Sequence, residues 1–290
     1  MFLKPSTYFK MMLNFNGSII DATKKIFNVE NRNFRYGDGV FETLRVFDNY
    51  EIPSLKLHKQ RLLAAMKILA MNIPQTWKEN FLNQEIQKLM INFPPTQNYR
   101  LRLAVFRTSG GLYTPISNDI EFCIEITPLA SHNFELNEIG LQCSVFDEIT
   151  ISPSKISPFK TSNSLPYIMA ALYRQNQQTD DCFILNTSGR VCETVSANIF
   201  GITIDNQLVT PPISEGCIDG IMRKSILQLA QKHHINYNET PISLTDLQNF
   251  QEVFISNAIQ GIRWVGYCKP LQKKYTNHLT KKLFELFLET

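Results

Sequence analysis

Between Glu193 and Arg223 the chain reads ETVSANIFGITIDNQLVTPPISEGCIDGIMR. Asn198-Ile199-Phe200 and Leu208-Val209-Thr210 are short apolar runs of strand character. A loop with two prolines follows, and Gly220 opens a helix at Ile221-Met222-Arg223. The first amides of a helix have no helical acceptor. They stand at its positive end, where an anion such as phosphate is favoured. This stretch therefore calls for strands feeding a helix whose first turn is open to a ligand.

The second half repeats that alternation. Strands are predicted at 141–147, 182–187, 199–204 and 207–210, and helices near 163–178 and 219–234. Ser188-Gly189 marks a turn between strands, and 277–288 has the spacing of an amphipathic terminal helix. In the first half, Asn16-Gly17 between apolar residues predicts a hairpin. Leu57 to Met71 has helical spacing, a second helix covers 78–92 and stops at Pro94-Pro95, and strands follow at 99–106 and 120–127. RTSGGLYTPISN between those strands is a Gly-rich loop that matches no P-loop. The segment 128–138, PLASHNFELNE, is polar and aperiodic. The expected organisation is a smaller N-terminal α/β domain over 1–128, a linker over 129–138 and a larger domain over 139–290. The fold class is mixed, α/β or α+β.

Composition excludes several classes. The 290 residues are 43% hydrophobic and 19% charged, ordinary for a globular protein. A net charge of +3 with no long basic run gives no case for nucleic acid. No apolar run reaches the roughly 18–20 residues of a membrane span. The N-terminal text is broken by Lys4, Pro5 and Lys10, against a secretory signal. The six cysteines form no C-x-x-C pair and no Cys/His cluster of zinc spacing, so no metal is expected. Buried free thiols in a reducing cytoplasm fit them best.

Two residues carry the chemistry. Lys160 in SPFKTSNSLPY offers an amine, and Glu193 in GRVCETVSANIF offers a carboxylate. An aldehyde cofactor with a pyridine ring needs both, an amine to bind its carbonyl and a carboxylate at its ring nitrogen. In GDGVFETLRV, strand alternation puts Phe41, Thr43 and Arg45 on one face and Glu42, Leu44 and Val46 on the other. The first of these faces has the polarity of a site.

Taken in order, YGDGVFETLR, HKQRL, KTSNSL, ETVSANIF, VTPP, GIMR and FISNA resemble the motifs of the fold-type IV pyridoxal phosphate enzymes, the class IV aminotransferases. The resemblance runs from about Asn16 to about Val265. Val195 departs from it, standing where the family has a smaller residue. The resemblance implies a two-domain fold like that of D-amino acid aminotransferase, pyridoxal 5'-phosphate as cofactor, a small-molecule substrate and a homodimer. It makes Lys160 the Schiff-base lysine, whose ordinary pKa of about 10.4 must fall for proton transfer. It puts Glu193 at the pyridine nitrogen. Arg61 of H-x-x-R-L would take the phosphate with its forked guanidinium. The Ile221 and Met222 amides would complete the phosphate cup, with Asn198, Asn257 and Ala258 also around the cofactor. Ala258 stands where branched-chain enzymes have threonine. His58 reads as structural, Asp38 as a turn stabiliser and Tyr36 as a pocket residue.

The reaction is where the motifs divide. Thr43 resembles a catalytic threonine of aminodeoxychorismate lyases, and Asn257-Ala258 resembles their segment too. Glu42 resembles the transaminases instead. Leu112 occupies a position where an arginine is expected to bind a substrate carboxylate, so Arg107, Arg45 and Arg263 become candidates, in that order. The expected function is aminodeoxychorismate lyase, forming 4-aminobenzoate and pyruvate. The alternatives are a branched-chain or D-amino acid aminotransferase and, more remotely, a non-catalytic binding protein on this fold.

Overall fold

A computed structural model describes residues 12–78 and 80–289. The N-terminal text weighed against a secretory signal, and Glu79 of the expected 78–92 helix, lie outside the described residues. The chain divides between His132 and Asn133 into two compact units.

In the first unit, β1 (Met12–Phe15) and β2 (Ser18–Asp21) form the expected hairpin. Asn16 and Gly17 take the left-handed conformation that its turn requires, with φ of 49° and 85°. A short helix α1 (Arg32–Tyr36) leads into β3 (Gly39–Val46). Helices α2 (Leu55–Ile68) and α3 (Phe81–Met90) precede β4 (Tyr99–Arg107) and β5 (Ile120–Pro128). The sheet order is β2-β1-β5-β4-β3, antiparallel throughout. Its alternation decides what each face does. Val40, Leu44, Val46, Leu101, Leu103 and Val105 are buried, and α2 packs against β3 with Leu62, Ala65 and Met66 buried. Phe41 and Thr43 of the opposite face are only half-buried.

The second unit is built on a nine-stranded mixed sheet. Its elements are β6 (Leu141–Ile151), α4 (Leu165–Asn176), β7 (Asp181–Asn186), β8 (Val191–Thr194), β9 (Asn198–Ile202), β10 (Leu208–Thr210), α5 (Ile221–Lys232), β11 (Tyr237–Glu239), α6 (Leu244–Asn249), β12 (Glu252–Asn257), β13 (Gly261–Cys268), β14 (Lys273–Lys274) and α7 (His278–Leu288). The order is β11-β10-β9-β12-β13-β6-β7-β8, with β14 added beside β13. The sequence reading placed no strand over 252–268. The reason is physical: β12 is buried along nearly its whole length, so no polar–apolar alternation marks it.

Both faces of this sheet are covered. One carries Val145, Phe183, Ile199, Val253, Ile255 and Val265. The other packs Phe200, Phe254 and Ile262 against Met222 and Ile226 of α5 and Leu283 of α7. Phe200 and Phe254 stack with ring centroids 4.8 Å apart. Burying one such ring contributes about 1.5–3 kcal/mol. Glu252, itself buried, accepts from the Leu279 and Thr280 amides and so caps α7. All six cysteines are free and buried. Burial pushes Cys182 and Cys217 up to about 12, with Asp181 and Glu193 adding to it respectively, so these thiols stay protonated. No helix among the described residues is long and apolar enough to cross a membrane.

Candidate active site

Glu193 projects from β8 and is almost fully buried, at 2% exposure. A buried carboxylate needs donors. The Tyr167 hydroxyl of α4 donates to Oε1 at 2.6 Å, and the Ile218 amide donates to Oε2 at 3.1 Å. Burial, then the Glu193 charge and this hydrogen bond, push the Tyr167 phenol far above its usual range. Tyr167 thus remains a donor at any working pH. It lies seven residues after Lys160, on the first exposed-looking turn of a helix, and the sequence reading passed over it.

Behind Glu193 stands Asp181. Its carboxylate accepts from the Cys182 amide at 2.8 Å, the Thr194 hydroxyl at 3.1 Å and the Val195 amide at 3.3 Å. The last two of these bonds fix the chain just after Glu193. Burial raises the Asp181 carboxyl, against the lowering effect of the bonds it accepts.

The strap 211–220 ties the lysine to the glutamate. Ile218 donates to Glu193, and the next amide, Asp219, donates to the Pro158 carbonyl at 2.9 Å. Pro158 is two residues before Lys160, which is half-buried in the same turn. The strap is anchored through its own Glu215. Its carboxylate receives Arg190 through both Nε and Nη2, at 2.5 and 2.8 Å, and Asn186 at 2.8 Å. At its end, Asn198 donates to the Ile218 carbonyl at 2.7 Å and lies against Gly220, where α5 begins. The buried Ser256 faces Asn198 in the strand register, and its hydroxyl has no partner among the described residues. The Ser162 hydroxyl, two residues past Lys160, is also buried without one.

Asn257 is bonded within its own turn. Its side-chain oxygen accepts from the Ile259 and Gln260 amides at 3.0 and 2.8 Å. It closes the β12–β13 turn, on which Ala258 sits half-buried.

In the first unit, Arg61 is clasped by Glu42. Nε and Nη2 reach the two carboxylate oxygens at 2.8 and 2.6 Å, and His58 Nδ1 meets the same carboxylate at 2.7 Å. All three are buried. Glu42 faces the helices, so Thr43 stands on the opposite side of β3. Arg107 is spent on its own unit: Nε on Asp38 at 2.9 Å, Nη1 on Asn118, and Nη2 on the Leu69 carbonyl at 2.7 Å. It therefore secures the Gly-rich loop, where the sequence reading expected a substrate carboxylate. Arg32, which that reading did not consider, shares Asp38 and donates to the carbonyls of Gly110, Leu112 and Tyr113. Asp38 is thus an anchor for two arginines, more than a turn residue. Tyr36 lies under the Arg32 guanidinium and 5.6 Å from the Tyr113 ring. Arg45 is buried, donates to Ser131 and stacks on Phe47.

A family model for amino-transferase class IV matches residues 39–266. The chain belongs to the class IV aminotransferases. It is 30% identical over 285 residues to a Methanocaldococcus jannaschii protein named after the branched-chain-amino-acid aminotransferases, covering 96% of this chain and 95% of that one. It is 25% identical over 248 residues to the aminodeoxychorismate lyase of Vibrio harveyi, covering 83% and 88%. Its fold superposes on the branched-chain aminotransferase of Thermoproteus uzoniensis with a TM-score of 0.84 at 22% identity, over 96% and 94% of the chains. The fold is thus that of the fold-type IV enzymes, as the motifs implied.

The protein is an enzyme, and the cofactor of its family is pyridoxal 5'-phosphate. When bound, the cofactor supplies an electron sink for the bond broken at the substrate carbon. The residues here fit it: a half-buried amine, a buried carboxylate, an open helix start and two buried hydroxyls in want of partners.

Proposed function

We propose that the enzyme transfers the amino group of an α-amino acid to a 2-oxo acid. In this reading the Lys160 amine would hold the cofactor through its aldehyde group and, once displaced by the substrate amine, would be free to take the proton at the substrate Cα. Glu193, oriented by Tyr167 and Ile218, keeps a proton on the ring nitrogen. The Ile221 and Met222 amides would hold phosphate, with Asn198 shaping that turn; the resemblance alone proposes Arg61, which Glu42 keeps in one orientation, for phosphate. The oligomer is proposed to be a homodimer on resemblance, and the location cytoplasmic on the free, buried cysteines.

The observation that carries this choice is the bonding of Asn257. Its oxygen accepts from two amides of its own turn, a structural role that does not require the lyase reading. The long match to the Methanocaldococcus jannaschii protein supports the same side. Aminodeoxychorismate lyase remains the second reading because Thr43 stands half-buried on the Phe41 face. A single-turnover test separates them. Amino acids added without an acceptor should bleach the visible band of lysine-bound cofactor and form the amine form of the cofactor. Pyruvate and 4-aminobenzoate released from aminodeoxychorismate, above a Lys160→Ala control, with no such bleaching, would replace this reading by the second.

A further inference from the structure

One side-chain hydroxyl in the second unit is placed to decide which atom keeps a proton. Tyr167 donates to Glu193 Oε1 at 2.6 Å. That separation belongs to a charge-assisted O–H···O⁻ bond, about twice as strong as a neutral one. Neither end is loose. The Tyr167 ring packs on the cluster that includes Phe146, Ile184, Cys192 and Cys217. The chain just after Glu193 is fixed by the bonds of Thr194 and Val195 to Asp181. On the other oxygen of Glu193, Oε2, the Ile218 amide donates at 3.1 Å.

The ionisable groups acting on this phenol are Glu193, Cys192 of β8 and Cys217 of the strap. Burial, then the Glu193 charge, pushes both thiols up, Cys217 to about 12. They stay neutral beside the carboxylate, as the phenol does. Tyr167 therefore acts on Glu193 as a donor that carries no charge of its own. A buried carboxyl favours its neutral form, and a donor to its oxygen favours the charged one. Where such a group shares a proton with a basic nitrogen, the donor moves that proton toward the nitrogen. The Ile218 donor belongs to the backbone; the Tyr167 donor depends on its side chain.

We infer that Tyr167 is a positioning residue that acts through Glu193, its hydroxyl keeping the shared proton on the ring nitrogen of the cofactor and off the carboxylate. Tyr167 has this role only if Glu193 meets that nitrogen, as in the reading above. Removal of the hydroxyl leaves Glu193 its Ile218 donor and its place on β8. It lets the carboxylate take the proton. A ring nitrogen without its proton is a poorer electron sink.

The test reads the proton on holoenzyme loaded with cofactor whose ring nitrogen is isotope-labelled, by the NMR resonance of that nitrogen. Wild type should show the resonance of a protonated pyridine. Tyr167→Phe keeps the packed ring and loses only the hydroxyl. Its resonance should move toward neutral pyridine, and kcat should fall about 10-fold with KM unchanged, the loss of one bond to a charged group. p-Aminophenylalanine at position 167 keeps the shape with a weaker donor, and its resonance should fall between the two. It also serves if Tyr167→Phe does not fold. In Glu193→Gln the resonance should be that of neutral pyridine, and adding Tyr167→Phe should change it no further. A resonance that does not follow donor strength at position 167, while Glu193→Gln moves it, overturns the inference. A resonance unmoved by Glu193→Gln refutes the reading that Glu193 meets the nitrogen and takes the inference with it.

Discussion

The junction of Asn198 and Gly220 offers the sharpest test of how the helix start is held. A Cβ on Gly220 would overlap Asn198 Oδ1 and come within 3.1 Å of Asn198 Cγ. Asn198 is buried and fixed by its 2.7 Å bond to the Ile218 carbonyl, so it cannot swing aside freely. Gly220 itself has φ −65° and ψ 138°, which alanine can adopt, so the conflict is steric and not conformational. Overpacking of this kind costs about 1–3 kcal/mol. Loss of the Asn198 bond adds about 1 kcal/mol. The smaller entropy of the unfolded alanine chain returns about 0.4–1 kcal/mol. Gly220→Ala should therefore destabilise the protein by about 2 kcal/mol in urea denaturation and raise the dissociation constant for the cofactor. Adding Asn198→Ala removes the obstacle. The double variant should be more stable than the two single losses predict, with a coupling of about 1–3 kcal/mol. Additive losses, or a Gly220→Ala protein as stable as wild type, would show that Asn198 does not hold the helix start in the way described.

Two further outcomes follow from the buried carboxylates. Glu42→Gln leaves the Arg61 charge uncompensated and should cost about 3–5 kcal/mol. Burial alone would raise the Glu42 carboxyl, but the charge and hydrogen bonds of Arg61, with those of His58, outweigh it and hold it below its ordinary 4.5. A carboxyl depressed in the folded state binds its proton sooner in the unfolded chain. Its stabilisation is complete above pH 4.5 and is lost as pH falls through the lower folded value. Wild type should thus lose urea stability more steeply than Glu42→Gln below pH 4.5; parallel acid slopes would refute the pairing. Glu193→Gln keeps shape but not charge, so cofactor should still load on Lys160, while turnover falls about 100-fold. Near-wild-type turnover would remove Glu193 from the chemistry.

How much was legible follows from the range of each interaction. The Asn16-Gly17 hairpin, the turn at Ser188-Gly189 and the helix start at Gly220 depend on neighbours in sequence, and all were readable there. Lys160 and Glu193 were readable for the same reason, as motifs within short segments. The strand β12 was missed because burial along nearly its whole length erases alternation. The partners of the arginines were beyond any local pattern. Nothing in HKQRL says that Arg61 will be clasped by Glu42 from a strand 19 residues earlier. Nothing in AVFRTSGG says that Arg107 will be spent on Asp38, 69 residues away. The sequence by itself determined the family and its cofactor, and it proposed Lys160 and Glu193 as the residues that would address it. Only the tertiary structure decided which charged groups satisfy one another. A guanidinium's role is set by the acceptors that folding brings within about 3 Å, and sequence distance does not encode those.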